Sequence, residues 1–205
     1  MQIEPVYGPA PLKLTCTGDG ASRLARAHGR YMDAVLRGRV YIAGQTTSTL
    51  MPAGLSASPT TTTLWNPYGS NVYGVIWYAS VTAKVAWVAA AAVWIAENQG
   101  LSTTAATTGT AGLVTNALTG AVSQGVIQPL TTATIAAAPT NLVFSLGIGM
   151  TGALTTMPQG TPIGDWINGA VILAPGNTLS FQSSTASPAT SCTGLWIYEE
   201  VPINM

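Results

Sequence analysis

The sequence predicts a mainly β protein, a sandwich or barrel of short strands behind an extended N-terminal arm and one short amphipathic helix. Three observations carry this. From residue 39 the chain is a succession of short apolar runs, many rich in Val, Ile, Trp and Tyr, broken repeatedly by Gly, Pro, Asn and Thr. Pro5, Pro9 and Pro11 with Gly8 forbid regular helix at the start. Between the two lies one stretch with helical spacing. A chain of 205 residues is long enough for one well-buried domain, so the expected division is an arm and helix over 1–38 and a β domain over 39–205.

The arm covers 1–18 and should lie extended on something else. The helix spans 21–37: Asp19 or Ser22 can cap it, and Leu24, His28, Tyr31 and Val35 line one face at spacings of four, three and four. Gly38 is placed to stop it. Its other sides carry Arg23, Arg26, Arg30 and Arg37, with Asp33 three residues after Arg30 and four before Arg37, at helical pairing distance.

Nine strand candidates follow: RVYIAG (39–44), TTTTLW (60–65), NVYGVIWYASV (71–81), KVAWVAAAAVWIA (84–96), TATIAAA (132–138), NLVFSLGIG (141–149), GAVILA (169–174), NTLSF (177–181) and GLWIYEEV (194–201). Residues 72–96 are apolar enough to raise a spanning helix, but Lys84 stands at the middle and Gly74 near the start. Two buried strands meeting near Thr82 to Lys84 are expected instead, and no membrane span. The cluster NPYGSN at 66–71 reads as a turn. In APGN, 174–177, Pro175 and Gly176 stand where a type II turn wants them, joining GAVILA to NTLSF as a hairpin. Residues 100–128 fit a short helix or an excursion between strands equally well.

Charged residues make up 7% of the chain, against about 25% in an average domain. Residues 1–39 hold six cations (Lys13, Arg23, Arg26, Arg30, Arg37, Arg39) against Glu4, Asp19 and Asp33; the remainder holds Lys84 against Glu97, Asp165, Glu199 and Glu200. A surface so poor in ions has little protection against self-association. Much of it is expected to be covered by other copies or by a partner. Cys16 and Cys192 form neither a motif nor a disulfide framework. The start MQIEPVYGPAPLKLT lacks the pattern of a secretory signal, so synthesis in a cytoplasm is expected.

Groups for chemistry are scarce. His28, the one histidine, falls on the apolar helix face, where a packed role is preferred to a catalytic one. No metal-ligand spacing appears. Asp165 with Glu199 or Glu200 supplies the two acids of a glycosidase pair, but Glu199 and Glu200 point to opposite faces of a strand, and an exposed strand end is the simpler reading. Gly147, Gly149 and Gly152 match a dinucleotide fingerprint, yet no helix follows and Asp165 comes too early, so a bulge or tight bend is expected. No enzyme, cofactor or metal is anticipated.

The basic helix admits three readings: phosphate neutralisation, docking on a protein, or a solvated face. Docking is preferred, because the β portion is net acidic and lacks a broad basic face, so a nucleic-acid partner is not expected. Trp65, Trp77, Trp87, Trp94, Trp166 and Trp196 fall in or beside strand candidates, and most belong in the core. Trp65, Tyr68 and Tyr73 are the candidates for an interface or ligand-binding role.

The order AHGRYMDAVLRGRVYIAG, TTTLWNPYGSNVYGVIWYASV, GAVILAPGNTLSF and GLWIYEEVP resembles small structural proteins of tailed-phage particles, especially capsid cement or decoration proteins, over roughly residues 22–202. The resemblance implies a jelly-roll-like sandwich, commonly a homotrimer, on the outer surface of a virion. There it would bind the major capsid protein, with the segment bearing Arg23, Arg26, Arg30 and Arg37 as its grip. It implies no catalytic residues. A receptor- or carbohydrate-binding module of a fibre or spike is the alternative.

Overall fold

The computed structural model describes residues 2–3, 14–15, 31–84, 87, 89–98, 108–122, 125–135, 137–149, 162–187 and 192–203. In chain order the elements are β1 (Gln2–Ile3), β2 (Leu14–Thr15), α1 (Met32–Leu36), β3 (Val40–Gly44), β4 (Thr63–Trp65), β5 (Val72–Ala83) and β6 (Ala91–Asn98). They continue with β7 (Thr108–Ala111), β8 (Leu113–Asn116), β9 (Gln128–Thr134), β10 (Asn141–Gly149), β11 (Pro162–Leu173), β12 (Thr178–Ser183) and β13 (Cys192–Pro202).

The strands form a β-sandwich of two antiparallel sheets, ordered β11-β5-β13-β3-β8 and β10-β6-β12-β4-β9-β7, with β1 and β2 paired separately. Eight of them trace a jelly roll: β3 to β6 and β10 to β13 change sheets at every step except from β6 to β10, giving β11-β5-β13-β3 against β10-β6-β12-β4. The remaining strands extend the edges, β8 onto β3 and β9 with β7 onto β4.

Strand alternation builds the core. Along β13 the residues Cys192, Gly194, Trp196, Tyr198 and Glu200 are buried while those between are partly exposed. Trp196 and Tyr198 meet Ile76, Ala79 and Val81 of β5, Val93 and Ile95 of β6, and Leu179 and Phe181 of β12 in one cluster. β12 is buried on both faces because the β3–β4 connection lies over it. Gln182 accepts from the Ser56 N–H and donates to the Ser56 carbonyl, standing in for a backbone partner.

All nine strand candidates are strands, with shifted limits. The run 84–96 becomes a regular strand only from Ala91, with Lys84 exposed, and the run 132–138 is paired earlier, as Gln128–Thr134. Residues 66–71 turn as expected, with the Ser70 N–H bonded to the Pro67 carbonyl and Gly69 at φ +77°. At 174–177 the Asn177 N–H reaches the Ala174 carbonyl and Gly176 has φ +87°, as a type II turn requires. The expected hairpin does not form there. β11 and β12 belong to different sheets, so this turn carries the chain across the sandwich.

Within 100–128 the excursion reading holds for the described part, which contributes β7 and β8 to opposite sheets. Gly147 sits at a register shift of β10, the bulge its spacing suggested, while Gly152 lies outside the described residues. The expected helix over 21–37 does not run through its described part: Tyr31, at φ −116°, is the non-helical N-cap of the five-residue α1, so helix here starts at Met32, while 21–30 lie outside the described residues. Gly38, at φ +68°, ends it. No helix among the described residues is long and apolar enough to cross a membrane.

Candidate functional site

The outer face of the five-stranded sheet carries a largely apolar row. In register, Trp166 of β11, Tyr78 of β5, Ile197 of β13, Ile42 of β3 and Thr115 of β8 form one row across all five strands. The adjoining row, through Ala79, Trp196 and Ala43, is core, so the first row faces outward. Trp166 is 51% exposed and Ile42 36%; in the next outward row Leu113 is 47% exposed.

Two irregularities shape one end of this face. β5 carries an extra residue, Trp77, between Ile76 and Tyr78, which pair with Tyr198 and Ile197. Opposite it, Trp166 pairs with Tyr78 and Val171 with Ile76, so residues 167–170 of β11 form a long bulge. Asn168 (φ 56°) and Gly169 (φ 84°) take the left-handed conformation that this requires. Ile167 turns into the core, while Gly169 lies against Val75.

The Asn168 amide reaches back over the sheet to accept a hydrogen bond from the Tyr31 hydroxyl and donates to the Trp166 carbonyl. Tyr31, just before α1, is thereby clamped between two indoles. Its ring lies 4.1 Å from Trp77, at 23°, and 5.7 Å from Trp166, at 10°. Tyr78 leans on the same Trp166 ring at 5.1 Å and 54°.

Charge gathers at another part of the molecule. The predicted Asp33–Arg37 pair is present, Nε to Oδ2 at 2.9 Å, with both side chains partly exposed. Burial raises the Glu199 carboxyl above its ordinary range, Arg39 and Arg37 pull it down, and Asp33 pushes it up. Of the four arginines expected to dock on a partner, Arg37 is placed here, engaged with Asp33; Arg23, Arg26 and Arg30 lie outside the described residues, as does His28.

Glu199 and Glu200 are not an exposed strand end. Glu199 is half-buried near Arg39, Asp33 and Arg37, and Glu200 is buried where the connection between β8 and β9 folds over it. Glu200 Oε1 accepts the Ile127 N–H at 2.8 Å. Burial raises the Glu200 carboxyl, and the N–H groups of Ile127 and Val126 lower it. The buried Tyr198 and the nearby Tyr41 hydroxyls are raised in turn by desolvation and then by Glu200.

The structure does not bring Asp165 to either glutamate: β5 separates β11 from β13, and Asp165 pairs with Ala79 whereas Glu200 pairs with Gly74. Among the described residues no group of three or more His, Cys, Asp and Glu is placed to hold a metal ion.

The predicted aromatics are dispersed. Trp65 is half-buried in β4 of the six-stranded sheet, Tyr73 is exposed on β5 of the other, and Tyr68 is exposed at the 66–71 turn, beside Gly176. Sequence reasoning missed the cluster of Tyr31, Trp77, Tyr78 and Trp166. The one available signal was Asn168-Gly169, a turn dipeptide beside the apolar run assigned to a strand. No family model, curated protein or solved structure matches the chain significantly.

Proposed function

We propose that the chain is a non-catalytic virion structural protein, a jelly-roll subunit that assembles with its own copies on the outside of a phage capsid and cements neighbouring capsomers. The outward row Tyr78, Ile197 and Ile42, continued by Leu113, carries the reading. Five strands about 4.8 Å apart, of 12, 12, 11, 5 and 4 residues, offer on the order of 700 Å², approaching the roughly 800 Å² that each partner of a stable interface buries. Such a face, on a chain with 7% charged residues, is suited to a neighbouring copy.

Jelly rolls serve viral capsids and lectins alike, so the fold supports this reading without deciding it. A homotrimer is the assembly the family resemblance implies. Arg23, Arg26, Arg30 and Arg37 supply the grip on an acidic surface of the major capsid protein, where paired charges set register and orientation.

Light scattering of the purified chain should give a multiple of the 21.0 kDa subunit mass. Arg23→Glu combined with Arg30→Glu should leave that mass unchanged and abolish attachment to capsids lacking the protein. A monomer, or unchanged occupancy by the double variant, overturns the proposal. The second reading, a glycan-binding module, is favoured by one observation, the half-exposed Trp166.

A further inference from the structure

The geometry points to a carbohydrate-binding subsite at the β11 end of this face, with the Trp166 indole as platform and the Tyr78 hydroxyl as its polar contact. The proposal does not rest on the cementing role. One side of the Trp166 ring is held nearly parallel to Tyr31, which is itself stacked on Trp77 and tied to Asn168. The indole is therefore fixed rather than free to turn, although the residue is 51% exposed. An exposed aromatic held flat by a second stacked ring has lost its rotamer entropy before any ligand arrives.

Beside Trp166 on the same outward side of β11 stands Gly164, two residues and about 7 Å away along an extended strand. A Cβ at Gly164 would lie 2.4 Å from the Ser80 Cβ, 2.8 Å from the Ala79 carbonyl oxygen and 2.9 Å from the Tyr78 hydroxyl. The missing side chain at Gly164 thus lets the Tyr78 hydroxyl lie across β11 beside the indole, on the same outward side. That hydroxyl has no hydrogen-bond partner among the described residues. Exposed Asp165, in register with Ala79, projects to the opposite side of β11 and accepts the Trp166 N–H through one carboxylate oxygen.

These features select a sugar over a flat protein surface. The bulge at 167–170 and Tyr31 stand above the sheet and would hold a neighbouring sheet away from this end. A pyranose presents an apolar face of C–H groups, weakly positive, which suits the electron-rich face of an indole. Its rim of hydroxyls can meet the phenolic O–H of Tyr78.

The test is saturation-transfer NMR of the full chain with the methyl glycosides of glucose, galactose, N-acetylglucosamine and rhamnose. At least one should receive saturation on the C–H protons of a single ring face. Trp166→Ala should weaken that binding at least about tenfold, Trp166→Tyr should retain most of it, and Tyr78→Phe should weaken it severalfold while keeping the ring. Ile172→Ala, on the same strand and exposed, should bind as wild type. Tyr78→Phe keeps the proposal testable if Trp166→Ala does not fold. Three results would overturn it: no transfer to any glycoside, undiminished binding by the Trp166→Ala or Tyr78→Phe protein, or a changed oligomeric mass in folded Trp166→Ala, which would place the indole between copies. None of these readouts depends on capsid attachment, so failure here and failure of the cementing role are separable.

Discussion

Trp196 and Phe181 stack across the interior, one from each sheet, with ring centroids 4.1 Å apart and planes 19° from parallel. The Trp196 indole N–H donates to the Thr62 carbonyl at 2.8 Å, so burying this side chain orphans no donor. The stack depends on Gly194, which faces inward two residues earlier: a Cβ there would lie 2.7 Å from the Phe181 ring and 3.4 Å from the Thr62 nitrogen.

Gly194→Ala should therefore destabilise the sandwich by about 1–3 kcal/mol through overpacking. Phe181→Ala should cost about 3–5 kcal/mol by leaving a cavity under Trp196. Urea titrations followed by tryptophan emission test both. If Gly194→Ala matched wild type, the rings would not be held as close as described.

Asn66 fastens two turns at one end of the molecule. Its N–H and carbonyl bond the Asn177 carbonyl and the Gly176 N–H, while its amide Nδ2 reaches the carbonyls of Val72 and Leu173. It thereby ties the β4–β5 turn to the turn that crosses between sheets. Asn66→Ala keeps the backbone bonds and takes the amide donor from both carbonyls, a loss of about 1–3 kcal/mol. Amide exchange in residues 66–72 and 174–177 should accelerate together; acceleration of one turn alone would show that the latch is not shared.

Stability should decline as pH rises through the mildly acidic range. Burial raises the native Glu200 carboxyl above its ordinary 4.5 despite its two backbone donors, and Glu199 is raised as well. The native state then binds protons more tightly than the unfolded chain. Its contribution is full below the unfolded pKa, falls as pH rises through the native one, and levels off above it. Glu200→Gln should flatten this slope from about pH 4.5 upward while keeping an acceptor for the Ile127 N–H. Parallel urea-midpoint profiles for wild type and variant would show that the carboxyl titrates alike in both states.

The strands were legible because this sandwich follows elementary rules along most of its length. Trp196, Tyr198 and their partners alternate with exposed positions, and the turns at 66–71 and 174–177 have the residues their conformations need. What escaped was set by partners far along the chain. Whether Pro175-Gly176 closes a hairpin or crosses the sandwich depends on which strands flank it in space, and that is absent from local spacing. Glu200 reads as a strand end until the segment through Ile127 covers it. The aromatic cluster was hidden because Trp77 and the 167–170 bulge break the two-residue period, so outward residues do not stand where alternation places them.

The centre of the outer row offers the most direct test of self-assembly. Ile42 is 36% exposed on β3 and pairs in register with Ile197 on one side and Thr115 on the other. Ile42→Lys removes little core, so the fold should change by no more than about 0.5–1 kcal/mol. A lysine buried between copies would lose its hydration without gaining a partner, which should dissociate the assembly toward the 21.0 kDa subunit. Val122→Lys, at an exposed position on the connection between β8 and β9, is the matched control and should leave the mass unchanged. If Ile42→Lys keeps its oligomeric mass in light scattering while remaining folded, the copies meet elsewhere and the apolar row is not their interface.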